Sequence, residues 1–163
     1  MATSASLKEQ RDYAWSYFQL HANQRISSFN FFVVIAALLT TGLAGTLKMD
    51  FEYHYLGVIL ALSLIVISFI FWKMDQRVRF LIKHAEEALK SIEKEWMSNA
   101  DFIGPELALF RGEEEKTKSV RSPGSWNPVQ WHLLYSECFS AVYLVFGALG
   151  TIGGIAAVVK WVV

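Results

Sequence analysis

The chain has 163 residues, 53% hydrophobic, 15% aromatic and only 18% charged, against roughly 25% charged for an average soluble domain, which argues against a simple water-soluble fold. Fifteen Lys and Arg balance fifteen Asp and Glu, so there is no global field to draw in nucleic acid or an acidic surface, and charge-based recognition has to come from local patches. The single cysteine, Cys138, excludes an intramolecular disulfide and a cysteine-built zinc site.

In chain order, residues 1–28 lack Pro and Gly and mix Trp15, Tyr17, Phe18 and Leu20 with Lys8, Glu9, Arg11, Asp12 and Arg25. This texture predicts an amphipathic helix at the membrane interface. Residues 29–47 carry no ionisable side chain before Lys48 and approach the ~20 apolar residues that cross a bilayer, the first predicted transmembrane helix. The preceding stretch is too long and aromatic for a cleavable signal peptide, and no small-residue cleavage site follows a short apolar core. Residues 48–54 form a short external loop, and the uncharged run 55–72 is the second transmembrane helix.

Beyond it, Val78, Leu81, Ile82, Ala85, Leu89, Ile92 and Trp96 recur at three- and four-residue steps. The second span is therefore expected to continue as a cytoplasmic amphipathic helix over 73–98, with Glu86 and Lys90 a favourable i,i+4 pair. Its apolar stripe needs a partner, and self-association is the economical one. Residues 99–127 form a cytoplasmic loop with Pro105, Pro123 and the acidic run Glu113 to Glu115. Asn127 and Pro128 suit an N-cap and first turn. They open the segment 128–163, a lead-in helix anchored by Trp126, Trp131 and Tyr135 that becomes the third, glycine-rich transmembrane helix.

Basic residues before the first span and after the second, against a single Lys48 in the loop between them, place the N-terminus and the 73–137 segment in the cytoplasm and the C-terminus outside. Lys160 is then free to snorkel to the outer interface. The fold class is thus all-α, with three transmembrane helices, an N-terminal interfacial helix and a cytoplasmic helical extension.

Candidate functional residues follow from that frame. Asn30, Val34, Ala37, Thr41 and Ala44 share one face of the first span; small and polar groups there either line a water-filled path or pack against another helix. No ionisable residue lies deep in a span, which argues against a pump more than against a passive pore. Gly147 with Thr151, and Gly150 with Gly154, are small-x-x-x-small pairs for close helix packing, within or between subunits. Arg77, Arg79, Lys83 and Lys90, with Lys73, His84 and Lys94, form a basic series suited to a phosphate-bearing ligand or to the headgroup region. Arg79 and His84 also match the R-x4-H spacing of HEPN ribonucleases. His21, Asn23, Gln24 and Arg25 read as a structural cap at the end of the first helix. There is no Gly-rich phosphate loop, zinc-protease motif, nucleophile elbow or cofactor fingerprint, so neither an enzyme, a cofactor nor a metal is expected.

The strings YFQLHANQR-x4-FNFF (17–32) and FWKMDQRVRFLIKHAE (71–86), in this layout of spans, resemble small bacterial anti-phage membrane effectors of the SLATT and Hailong types. The R-x4-H string resembles the HEPN-like membrane accessory protein of type VI-B CRISPR systems. The first resemblance implies a homo-oligomeric inner-membrane channel, controlled by a soluble nucleotidyltransferase or nuclease partner and an oligonucleotide ligand. It would place ligand phosphates at Arg77, Arg79, Lys83 and Lys90, and the conduction path at Asn30, Ala37 and Thr41. The alternatives are a non-conducting anchor for a soluble partner and a membrane-bound ribonuclease.

Overall fold

The computed structural model describes residues 4–48, 54–98, 109–110 and 135–162. Three helices dominate: α1 (Ser4–Thr46), α2 (His54–Met97) and α3 (Tyr135–Val162). All three are long and apolar enough to cross a membrane. The predicted prolines, acidic run, Asn127, Trp126 and Trp131 lie outside the described residues.

α1 differs from expectation at its centre. The predicted boundary at residue 28 falls inside one uninterrupted helix, because no Gly, Pro or capping break occurs there to end it. The reading of His21 to Arg25 as a cap is therefore corrected: no helix end exists to be capped. His21 packs instead on Tyr17, ring centroids 4.4 Å apart. α2 runs from the second span into its amphipathic extension without a break.

The chain divides into two compact units, Met1–Asn23 with Val78–Leu133, and Gln24–Arg77 with Leu134–Val163. In the first, Leu7 and Ala14 of α1 and Val78, Ala85 and Leu89 of α2 are buried. The Arg11 guanidinium lies 5.1 Å from the Trp96 ring centroid, and Trp15 and Phe18 pack edge-on against Phe110. The backbone N–H of Phe110 donates to Glu93 Oε1 at 3.4 Å. The amphipathic stripe thus finds a partner within its own chain, a correction to the expectation that self-association covers it. An aromatic N-terminal helix offers enough apolar area for the purpose.

The second unit is a three-helix bundle. α2 runs antiparallel to α1, bringing Phe32 beside Phe71 and Gly42 against Leu60. α3 runs parallel to α1, pairing Phe29 with Phe139 and Leu43 with Gly153. Phe32, Ala36, Leu64, Phe139 and Tyr143 form the core. Along α2, the buried or half-buried Gly57, Ala61, Leu64, Ser68, Phe71 and Asp75 recur in strict 4-3 alternation, the 3.5-residue repeat of coiled-coil packing, which membrane bundles share. The opposite faces stay apolar and uncovered, as at Phe31, Leu38, Leu62, Val66, Leu144 and Ile152, which suits hydrocarbon or neighbouring subunits.

Small residues set the helix separation. A Cβ on Gly150 would sit 2.9 Å from Ile65 Cγ1 and 3.2 Å from the Ala61 carbonyl oxygen, so α3 approaches the backbone of α2 and has no room for a methyl group. A Cβ on Gly45 would meet no described atom within 4 Å. Gly150→Ala is expected to destabilise the solubilised protein by about 1–3 kcal/mol through overpacking. Gly45→Ala should be neutral or gain up to about 1 kcal/mol in helix propensity. Thermal unfolding in detergent checks the pair, and equal behaviour of the two variants would contradict the close α2/α3 approach.

Candidate functional site

Two polar joints bracket the bundle. At one end, Arg25 of α1 and Asp75 of α2 form a forked ion pair, Nε to Oδ1 at 2.6 Å and Nη2 to Oδ2 at 3.2 Å. The Asp75 side chain is 1% exposed and that of Arg25 11%. The guanidinium carbon also lies 4.8 Å from the ring centroid of Phe139 on α3, so one side chain contacts all three helices of the unit. Two parallel N–H···O bonds and a weakly hydrated planar cation over a ring are what arginine supplies and lysine does not. Behind the pair lies an aromatic layer. Phe29 stacks on Phe139 at 4.0 Å with ring planes 4° apart, and Phe32 meets Tyr143 at 4.6 Å and Phe146 at 5.6 Å. On the surface at this level, the Lys73 ammonium lies 4.8 Å from the Trp72 ring centroid, an arrangement typical of a membrane–water boundary.

At the other end, the Lys160 ammonium of α3 donates to the carbonyl of Leu47, just beyond the end of α1. The carbonyls of a helix's last turn have no intrahelical donor and carry the negative end of its dipole, so a cation there satisfies both. Lys160 is half-buried in this contact, so the ammonium is held by the backbone that follows α1. Beside it, Gly57 fits between Thr46 and Ala157, where a Cβ would lie 2.6 Å from Thr46 Oγ1. Arg25 and Leu47 are separated along α1 by about 33 Å of helix rise, close to the ~30 Å of a bilayer's hydrocarbon.

Between the joints, Asn30, Val34, Ala37, Thr41 and Ala44 are all exposed on α1. With Ser27 they extend a 3-4 repeat of small and polar residues that no helix among the described residues covers. The Thr41 hydroxyl donates to its own helix, at the Ala37 carbonyl, 2.8 Å away. Gly150 and Gly154 face α2 at Ala61 and Ile65, Gly147 lies near Ser68, and the Thr151 hydroxyl donates to the Gly147 carbonyl.

The basic series divides. At about 100° per residue, Arg79, Lys83 and Lys90 fall within about 40° of one another on α2, while Arg77 points to the opposite side. Arg77 and Lys83 are exposed; Arg79 and Lys90 are half-buried. His84 is exposed, about 140° around the helix from Arg79, so one chain does not bring the R-x4-H pair together.

The Arg25–Asp75 joint escaped the sequence reading because both residues look like flanking charges. The signal available was their position: each falls on the buried stripe of its helix, in step with Phe32 and Phe71.

Comparison with known proteins supplies the relatives. A family model described as the Octameric membrane protein family (8xMP) matches residues 8–159. The chain is 33% identical over 140 residues to CD-NTase-associated protein 19 of Escherichia coli, covering 85% of this chain and 84% of that protein. No solved structure matches. With a match that runs from the first helix through the last span, the chain belongs to the octameric membrane protein family.

Proposed function

We propose that this protein is an oligomeric effector of bacterial anti-phage defence that forms a gated ion-conducting pore in the inner membrane. The observation that carries the reading is the face of α1 bearing Asn30, Ala37 and Thr41, exposed along the whole span of a chain whose family is octameric. Hydrocarbon leaves the Asn30 amide without partners, at a cost of several kcal/mol. The face therefore turns toward water or toward another subunit, and a closed ring offers it the central axis. The N-terminus and the α2 extension are cytoplasmic and the C-terminus external, in keeping with the Lys/Arg bias and the Lys73–Trp72 contact.

The name of the Escherichia coli relative associates that protein with a CD-NTase, a nucleotidyltransferase. Carried to this chain, it supports control by a soluble nucleotidyltransferase partner through a nucleotide or oligonucleotide held at the cytoplasmic basic helix. Arg79, Lys83 and Lys90 are the phosphate contacts. Arg77, although part of the same basic series, lies off their face and plays a lesser part. The ligand acts by binding one of two bundle states more tightly than the other. A second reading rests on the Thr41–Ala37 bond: a face whose hydroxyl is satisfied internally also packs well between subunits, as in a non-conducting anchor.

Potassium flux from loaded liposomes separates the two. Asn30→Leu with Thr41→Leu should cut flux by about tenfold or more if the face lines the path, since a dry constriction stops ions. Wild-type oligomers that pass no potassium, with or without nucleotide and partner, would sink the pore and favour the anchor. With a short oligodeoxyadenylate as probe, Arg79→Glu plus Lys83→Glu should weaken binding by at least about tenfold and flatten its salt dependence, as expected when phosphate contacts are lost. Arg77→Glu should change it by less than about threefold. Equal effects of both changes would contradict the assignment of the ligand to that face.

A further inference from the structure

The 4-3 repeat along α2 raises a question that its apolar members cannot answer. In a heptad seam, sliding one helix past the other by seven residues returns apolar positions to apolar positions, so the large apolar side chains discriminate poorly among registers, and the close Gly57–Thr46 contact adds only a steric preference. In the observed register, Gly42 lies against Leu60, Phe32 beside Phe71 and Arg25 on Asp75. One heptad away, Phe32 would meet Leu64 or Val78, which are similarly apolar. Arg25 would meet Ser68 or Ile82. Ser68 is 3% exposed and its hydroxyl has no hydrogen-bond partner among the described residues, and one neutral hydroxyl cannot compensate a buried guanidinium. Asp75 would meanwhile be left among apolar groups without its cation. Either slip therefore buries two unpaired charges, whereas the observed register buries none.

We propose that the Arg25–Asp75 pair is a register lock: it specifies the one alignment of α1 and α2 that the heptad pattern leaves open. Phe139, against the guanidinium, ties α3 to the same alignment. A polar pair placed in an apolar seam sets register more than it adds stability, since desolvation of the ions offsets most of their attraction. The lock acts on the bundle itself and stands whether or not the bundle conducts.

Cysteine cross-linking in membranes tests it, in a full-length Cys138→Ser background. Leu60→Cys with Gly42→Cys reports the observed register, and Leu60→Cys with Ile35→Cys reports the alignment one heptad away, with Arg25 opposite Ser68. With the ion pair intact, only the first pair should oxidise efficiently. Removing both charges, Arg25→Leu with Asp75→Leu, should raise cross-linking of the second pair by about tenfold or more, and the exchange of Arg25→Asp with Asp75→Arg should return it to background. A doubly substituted Leu protein that keeps only the Gly42/Leu60 cross-link overturns the lock. Should it fail to accumulate, the exchanged pair decides: accumulation with the Gly42/Leu60 cross-link supports the lock, and no rescue overturns it. Potassium flux plays no part in this readout, so a failed pore and a failed lock give different results.

Discussion

A guanidinium and a carboxylate held out of water between α1 and α2 are the constraint around which the spans are arranged. Arg25 and Asp75 are both almost fully covered, and removing either would strand the other in a medium that solvates ions poorly. Few arrangements satisfy this. α1 and α2 must run antiparallel with these two positions level, and α3 must bring an aromatic face to the guanidinium, as Phe139 does. The stacked layer of Phe29, Phe32, Tyr143 and Phe146 then fills the space beside the pair. The ion pair determines which residues meet, and the aromatic layer contributes large apolar rings that make the meeting favourable.

At the far end the same logic is met with different chemistry. A helix terminus in or near hydrocarbon leaves carbonyls unsatisfied, and Lys160 reaches from α3 to supply the donor for Leu47. The bundle is thus joined at both ends, while between them Gly150 approaches Ile65 and Ala61 too closely for a methyl group. Such a bundle moves as a body more readily than it deforms. In the proposed pore, a nucleotide at Arg79, Lys83 and Lys90 binds the same helix, α2, that carries Asp75.

Much of this was legible before any coordinates. Three uncharged runs of membrane-spanning length admit few other readings, and the amphipathic spacing from Val78 to Trp96 announced the extension of α2. What escaped has identifiable causes. The texture of residues 1–28 differs from that of 29–47 and reads as a boundary, but composition alone does not end a helix; a Gly, a Pro or a cap does. Asp75 sits among Lys73, Arg77 and Arg79, where a topology argument weighs Lys and Arg and gives acids little weight, so its place on the buried stripe went unread. The small-residue pairs of α3 announced close packing without naming the partner, which depends on Ala61 and Ile65 lying opposite. For the basic series, the spacing of Arg77 from Arg79 already places the two on different faces, so the division of that cluster is a property of the sequence as much as of the fold.

The central claim is that one buried ion pair organises the spans, and a double-mutant cycle on it is the most direct measurement. Unfolding free energies of the wild type, Arg25→Ala, Asp75→Ala and the double variant, measured in one lipid composition, give the coupling between the two side chains without reference to transport. The account predicts that each single change is severe and that the double change costs little more than either, a coupling of about 2–4 kcal/mol. Single effects that simply add, to within about 0.5 kcal/mol, would mean that the bundle finds its arrangement through apolar packing alone, and the account would be wrong.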